Sequence, residues 1–272
     1  MLNTLSALMG FLAHVKLPSP LSRMLIRAFA KSYSISVEEA ERELHEYPSI
    51  GEFFIRNLKP GNRPIGEGIV SPVDGTLRSF GTIVGGVLPQ VKGKTYSVTT
   101  FLQDETEAQK FNGGTFLNLY LSPQDYHSVH VPLDGVVRKS VHVPGKLFPV
   151  NDYALDRVNE LFAVNERVIS YIATETFTYA LIMVGATNVG KISVVYDKFL
   201  SNRFRFWKKE ERLVSYDKSY AEPVKLAKGD KIGTFHLGSS VVLLIPPLDK
   251  QLSIKSTPGT KVKLGTTLID LP

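Results

Sequence analysis

The stretch KIGTFHLGSSVVLLIPP, Lys231–Pro247, sets two apolar runs on either side of the small-residue break Gly238-Ser239-Ser240 and stops at a pair of prolines. The second run, Val241 to Ile245, has no polar residue and is too short for a stable helix, so it reads as a strand buried on both faces. Working outward, comparable runs occur at Thr115 to Leu121, Gly135 to Val143, Val168 to Ile172, Tyr179 to Val184 and Lys191 to Tyr196, each bounded by turn residues. That spacing predicts a β sandwich or barrel. Two stretches resemble each other, SPVDGTLRSFGTIVGG from Ser71 and VPLDGVVRKSVHVPG from Val131, each placing an Asp-Gly turn before a strand. A third, AKGDKIGTFHLG from Ala227, offers a Gly-Asp turn before another, so hairpin units are expected to repeat.

The first 58 residues read differently. Leu21, Met24, Leu25, Ala28 and Phe29 recur at helical spacing, with Arg23, Arg27 and Lys31 on other faces, which predicts an amphipathic basic helix. Ser36 with Glu39, and Ser49 with Glu52, have the spacing of a capping box, so two short helices are expected to follow. The Pro/Gly-rich linker KPGNRPIGEG, Lys59 to Gly68, marks a boundary. The expected class is α+β: a helical segment over 1–63 and a mostly β catalytic core over 64–272.

Composition narrows the chemistry. Without cysteine there are no disulfides, thiolate metal sites or thiol nucleophiles, so any nucleophile is an oxygen or an amine. A net charge of +6 favours anionic partners. Lys16, Arg23, Arg27 and Lys31 are unopposed by any acid in the first 33 residues, and the apolar stretch from Met1 to Phe11 precedes them; such a segment suits an anionic lipid surface. Leu5 to Val15 is interrupted by Ser6, Gly10 and His14, far short of the roughly 18–20 apolar residues of a spanning helix. The first charge, Lys16, follows that stretch, which is not signal-peptide order, so the expected place is the cytoplasmic face of the membrane. RFRFWKKEER from Arg203 interleaves rings with cations; a lipid-facing edge is expected there rather than a nucleic-acid site.

His127 and His130 follow Ser122-Pro123-Gln124-Asp125, which reads as a single helical turn capped by Ser122. Structural histidines, a metal pair and a catalytic pair all remain open from the residues themselves, although no third metal ligand is placed and no metal is expected. Gly238-Ser239-Ser240 alone is an ordinary loop.

Taken in order, SPVDG with Asp74, SPQDYHSVHVP, PGKLFPVN from Pro144, NERV from Asn165, VGATNVGKI from Val184 and FHLGSSVVLL from Phe235 resemble the signature of bacterial phosphatidylserine decarboxylases, beginning at EFFIR near Glu52. The resemblance implies a proenzyme that cuts itself between Gly238 and Ser239, giving chains of 1–238 and 239–272 that stay associated. It implies that Ser239 becomes a covalent pyruvoyl group, activated by a relay of Asp74 and His130, and that this group decarboxylates phosphatidylserine through a Schiff base. His127 is then the expected proton donor. Phosphatidylserine in an anionic membrane is the implied partner, and an assembly of identical chains is expected. Loss of carbon dioxide from an amino acid needs an electron sink that no ordinary side chain supplies. Two rival readings are a single-chain carrier or phosphotransfer module, suggested by KGDKIG, and a serine hydrolase using the same triad.

Overall fold

The computed structural model describes residues 13–89, 94–150, 152–186, 191–198, 201, 216–236, 239–249 and 252–271. Its centre is an antiparallel sheet of eight strands in the order Tyr216–Leu226, Gly135–Val143, Arg167–Ala173, Thr178–Gly185, Ser239–Ile245, Thr115–Leu121, Gly75–Thr82 and Lys261–Val262. The mostly β core is therefore as the apolar runs predict. Ser239–Ile245 lies between two partners and is buried along its whole length. Its five aliphatic side chains contribute about 1.5–3 kcal/mol each, which would hold the strand in place if the chain were cut just before it.

The resemblance between the two Asp-Gly stretches is structural. Gly75–Thr82 and Gly135–Val143 both begin at the glycine of the pair, and both shift register two residues later, between Leu77 and Ser79 and between Val137 and Lys139. Each preceding aspartate accepts a backbone N–H from a distant loop: Leu264 N to Asp74 at 2.8 Å and Lys228 N to Asp134 at 2.7 Å. The next residue in each loop is a left-handed glycine, Gly265 at φ +84° and Gly229 at φ +88°, a conformation that side chains resist. Those glycines donate to Ser71 O and Val131 O, and Val70 N and His130 N donate to Pro132 O and Pro72 O. The two halves are thus related by a pseudo-two-fold between the central strands, where Leu181 opposes Leu243.

The halves differ where chemistry would sit. In one, Arg167–Ala173 turns directly into Thr178–Gly185 through Thr174–Phe177, closed by Thr174 N to Phe177 O at 2.8 Å. In the other, Thr115–Leu121 and Ser239–Ile245 are paired in the same way, but the connection between them carries residues 122–238. Ser239 therefore stands where a plain hairpin turn would end, and His130 stands where the other half has Val70. The third turn, Gly229-Asp230, leads into Lys231–Phe235, which belongs to a separate three-stranded sheet with Ile192–Val194 and Ser128–His130.

The helical segment forms its own small core of Ile26, Ala30, Ile35, Ala40, Tyr47 and Phe53. Its helix Ser19–Tyr33 packs through Ser22, Ile26 and Ala30, with Phe29 of the expected stripe partly buried against the same core. Leu21 and Met24 are exposed instead, at 42% and 59%. Ser49 caps the helix Ile50–Phe54 by accepting from Glu52 N at 3.2 Å, as expected. No helix follows Ser36, whose hydroxyl bonds Glu38 instead at 3.2 Å; the reciprocal box forms between Glu43 and Glu46 around the short 3-10 turn Leu44–Glu46. Among the described residues no helix is long and apolar enough to cross a membrane. The stretches 1–12 and 202–215 lie outside the described residues, as do Leu237 and Gly238.

Candidate active site

Ser239 opens the central strand, opposite Leu121 on one side and Gly185 on the other. Its side chain is wholly buried, and its Oγ has no hydrogen-bond partner among the described residues. Ser79, Ser128 and Ser240 also have buried hydroxyls without a partner among the described residues, so Ser239 is set apart by its place at the head of the central strand.

His127 immediately precedes the strand Ser128–His130, and His130 ends it. Before them, Ser122 to Asp125 forms a turn in which Asp125 Oδ2 accepts from both Ser122 N and Ser122 Oγ at 2.7 Å. The expected capped helical turn is absent because the cap runs backwards, with the aspartate as acceptor. His127 is fully buried under the Phe54 ring, 4.1 Å away between centroids. Its Nδ1 lies 2.8 Å from Asp125 O; since a carbonyl only accepts, Nδ1 carries the proton and Nε2 keeps a bare lone pair. That Nε2 has no partner among the described residues. Burial pushes the His127 imidazole down to about 3, the Asp125 carbonyl opposing and the Arg56 charge adding to it, so the ring is neutral. The backbone of His127 holds the strand leading toward Ser239, through Phe235 N to His127 O at 2.9 Å.

His130 is built alike but engaged. Its Nδ1 donates to Gly229 O at 2.8 Å, and its Nε2 accepts from Tyr126 Oη at 3.2 Å. Burial lowers its pKa, while the Asp74 charge works in the opposite direction. Asp74 itself is 3% exposed and faces Arg63, whose Nε and Nη2 reach it at 2.9 and 2.6 Å. The same guanidinium binds Glu39 at 2.6 Å, so the linker ties the helical segment to the sheet. Gly75 must follow Asp74, because a Cβ there would lie 2.5 Å from Tyr120 O.

Asp74 and Tyr126 line one cavity of about 310 Å3, and His130 hydrogen-bonds that tyrosine. The direct Asp74–His130 hydrogen bond of the expected relay is not present: the carboxylate is held by Arg63 and Leu264, and the imidazole by Tyr126 and Gly229. The carboxylate acts on His130 through its field. Three residues escaped the sequence reading. Arg63 was hidden in a linker, Tyr126 lay between two more conspicuous residues, and Arg56 ended a helix motif that gave no sign of pointing inward.

A β core that opens its central strand on a buried serine hydroxyl without a partner among the described residues, and that holds a neutral imidazole with a bare lone pair, is suited to an enzyme whose chemistry is proton transfer at an oxygen nucleophile. The profile of the family described as phosphatidylserine decarboxylase matches residues 50–270. The chain is 38% identical over 269 residues to a phosphatidylserine decarboxylase proenzyme of Anaeromyxobacter sp. (strain K), covering 98% of this chain and 93% of the relative. It is 37% identical to the proenzyme of Myxococcus xanthus, covering 90% and 86%, and 39% identical to that of Ectopseudomonas mendocina, covering 98% and 93%. The chain belongs to the phosphatidylserine decarboxylase family.

Proposed function

We propose that this chain converts phosphatidylserine to phosphatidylethanolamine with a pyruvoyl group that it makes from its own Ser239. The observation that carries the reading is the place of Ser239 Oγ, buried and without a partner among the described residues at the head of the central strand, where the other half of the sheet has a plain hairpin turn. In the first step that hydroxyl attacks the Gly238 carbonyl, the peptide nitrogen is released, and an ester joins the two halves; His130 takes the hydroxyl proton. Loss of the Ser239 α-proton then expels the Gly238 carboxylate as leaving group. The dehydroalanine left at the new N-terminus tautomerises, takes up one water and releases one ammonia. The resulting ketone supplies an electron sink for the electrons left when carbon dioxide departs from an amino acid.

The residues present suit such a group. It would sit at the head of a strand paired on both sides, so the cut would leave it anchored. His127 offers a buried lone pair with no competing partner among the described residues. Hydroxylamine, which captures ketones, is expected to abolish decarboxylation of phosphatidylserine vesicles by the wild-type protein. A serine-directed fluorophosphonate is expected to leave both label and activity unchanged. Labelling together with loss of activity would establish a serine hydrolase instead.

The helix Ser19–Tyr33 supports a peripheral membrane association. Its outward side presents Leu21 and Met24, flanked by Arg23, Arg27 and Lys31, while Ser22, Ile26 and Ala30 face the protein. Such an arrangement lets the apolar strip enter the lipid interface with cations at the head groups. Replacing Leu21 and Met24 together by glutamate is expected to reduce sedimentation with phosphatidylserine-containing vesicles severalfold, at unchanged thermal stability. Equal sedimentation would exclude this face.

A further inference from the structure

Arg56 follows the helix Ile50–Phe54 and turns inward, its backbone N bonded to Phe53 O at 3.1 Å. It is 3% exposed, with the guanidinium 5.1 Å from the Phe53 ring centroid. Its Nε and Nη1 find no acceptor among the described residues. Buried charges are ordinarily paired, because desolvating one alone strongly opposes folding. Arg56 lines the cavity of about 310 Å3 with Asp74, Tyr126, Lys261 and Lys263. Three carboxylates also line it, and each is engaged. Glu39 and Asp74 are bound by Arg63, and Asp125 accepts from Ser122. The cavity is therefore lined by a buried guanidinium whose Nε and Nη1 have no acceptor among the described residues and whose charge is felt at His127.

We infer that Arg56 is the receptor for the phosphodiester of the phospholipid head group, an assignment that rests on the decarboxylase reading above. A guanidinium fork matches a phosphate's oxygens in geometry and charge. The substrate's other anion, its α-carboxylate, is the wrong partner. A cation fixed on that carboxylate would stabilise the ground state more than the transition state, in which the charge is leaving, and so would slow decarboxylation. The phosphodiester is unchanged from substrate to product, so binding it helps both states equally.

The test uses the self-processed enzyme with short-chain phosphatidylserine. Glycerophosphocholine serves as a probe with a phosphodiester but no carboxylate, and free serine as one with a carboxylate but no phosphate. Arg56→Gln is expected to raise KM and the glycerophosphocholine inhibition constant about ten- to a hundredfold, with kcat affected much less. Arg56→Lys should fall between, and inhibition by serine should not move. Arg56→Met guards against a merely structural role: with no lone buried charge to desolvate, it should melt no lower than wild type. Weakened serine inhibition with glycerophosphocholine unaffected would assign Arg56 to the carboxylate and overturn the inference. A lowered Tm with both inhibition constants unchanged would make it a structural prop and overturn it as well. Either result would leave wild-type decarboxylation, and so the functional reading, standing.

Discussion

Denaturing mass spectrometry of the freshly purified protein is expected to resolve two chains, residues 1–238 and 239–272, and the Ser239→Ala protein a single one. The smaller wild-type chain should be lighter than a peptide starting with Ser239 by one ammonia, because the elimination removes the elements of water from the serine, hydrolysis restores them, and ammonia leaves. The effect is all or none, since without the hydroxyl there is no ester and no leaving carboxylate. The fold supports the second half of the expectation: Ser239 is buried and unpartnered, so removing one oxygen strands no donor and the variant should keep its stability. Without denaturant the two wild-type chains should travel together, because Val241 to Ile245 fill the middle of the eight-stranded sheet. A single chain of full mass in active protein would sink the pyruvoyl mechanism and return the hydrolase and carrier readings to consideration.

The strands were legible because their residues are β-branched or aliphatic in short runs, a signal that tertiary context seldom reverses when both faces are buried. Thr115–Leu121 and Gly135–Val143 coincide with the expected bounds. The duplication was legible only as two similar strings; its partner loops, around Leu264 and Lys228, share little beyond a following glycine and become visible through their hydrogen bonds. At the helical segment, periodicity located the helix, and its apolar stripe divides between the two surroundings, with Phe29 against the small core and Leu21 and Met24 outward. Around the site, chemistry-bearing types were readable one at a time while their pairings were not. Nothing local in KPGNRPIGEG announces that Arg63 will hold Asp74, for that contact exists only once the linker crosses the sheet.

His127→Gln is expected to separate the two reactions: the protein still splits after Gly238, yet decarboxylation falls about a hundred- to ten-thousandfold, the range of a lost general acid–base group. His130→Gln, by contrast, should remain whole. The electrostatics support this division. Burial lowers the pKa of His130 too, but there the Gly229 carbonyl and the Asp74 charge oppose it, which suits a base that must hold the serine proton during attack. His127 instead feels Arg56 and deep burial, both of which disfavour its charged form. A ring held neutral, with its proton committed to Asp125 O through Nδ1, has nothing to donate from Nε2 at rest. It must first receive a proton, and the head-group ammonium carries one that has to leave before its nitrogen can react. The substrate's carboxylate, entering with the ammonium, supplies the counter-charge that would let His127 Nε2 take that proton and return it to the α-carbon once carbon dioxide has gone, so one lone pair serves as base and then as acid. Solvent-exchange labelling follows from this cycle: with the site dry, part of the proton on the product's α-carbon should come from the substrate's own amine under single-turnover conditions. Were His127→Gln to stay uncut while His130→Gln splits normally, the two roles would be exchanged.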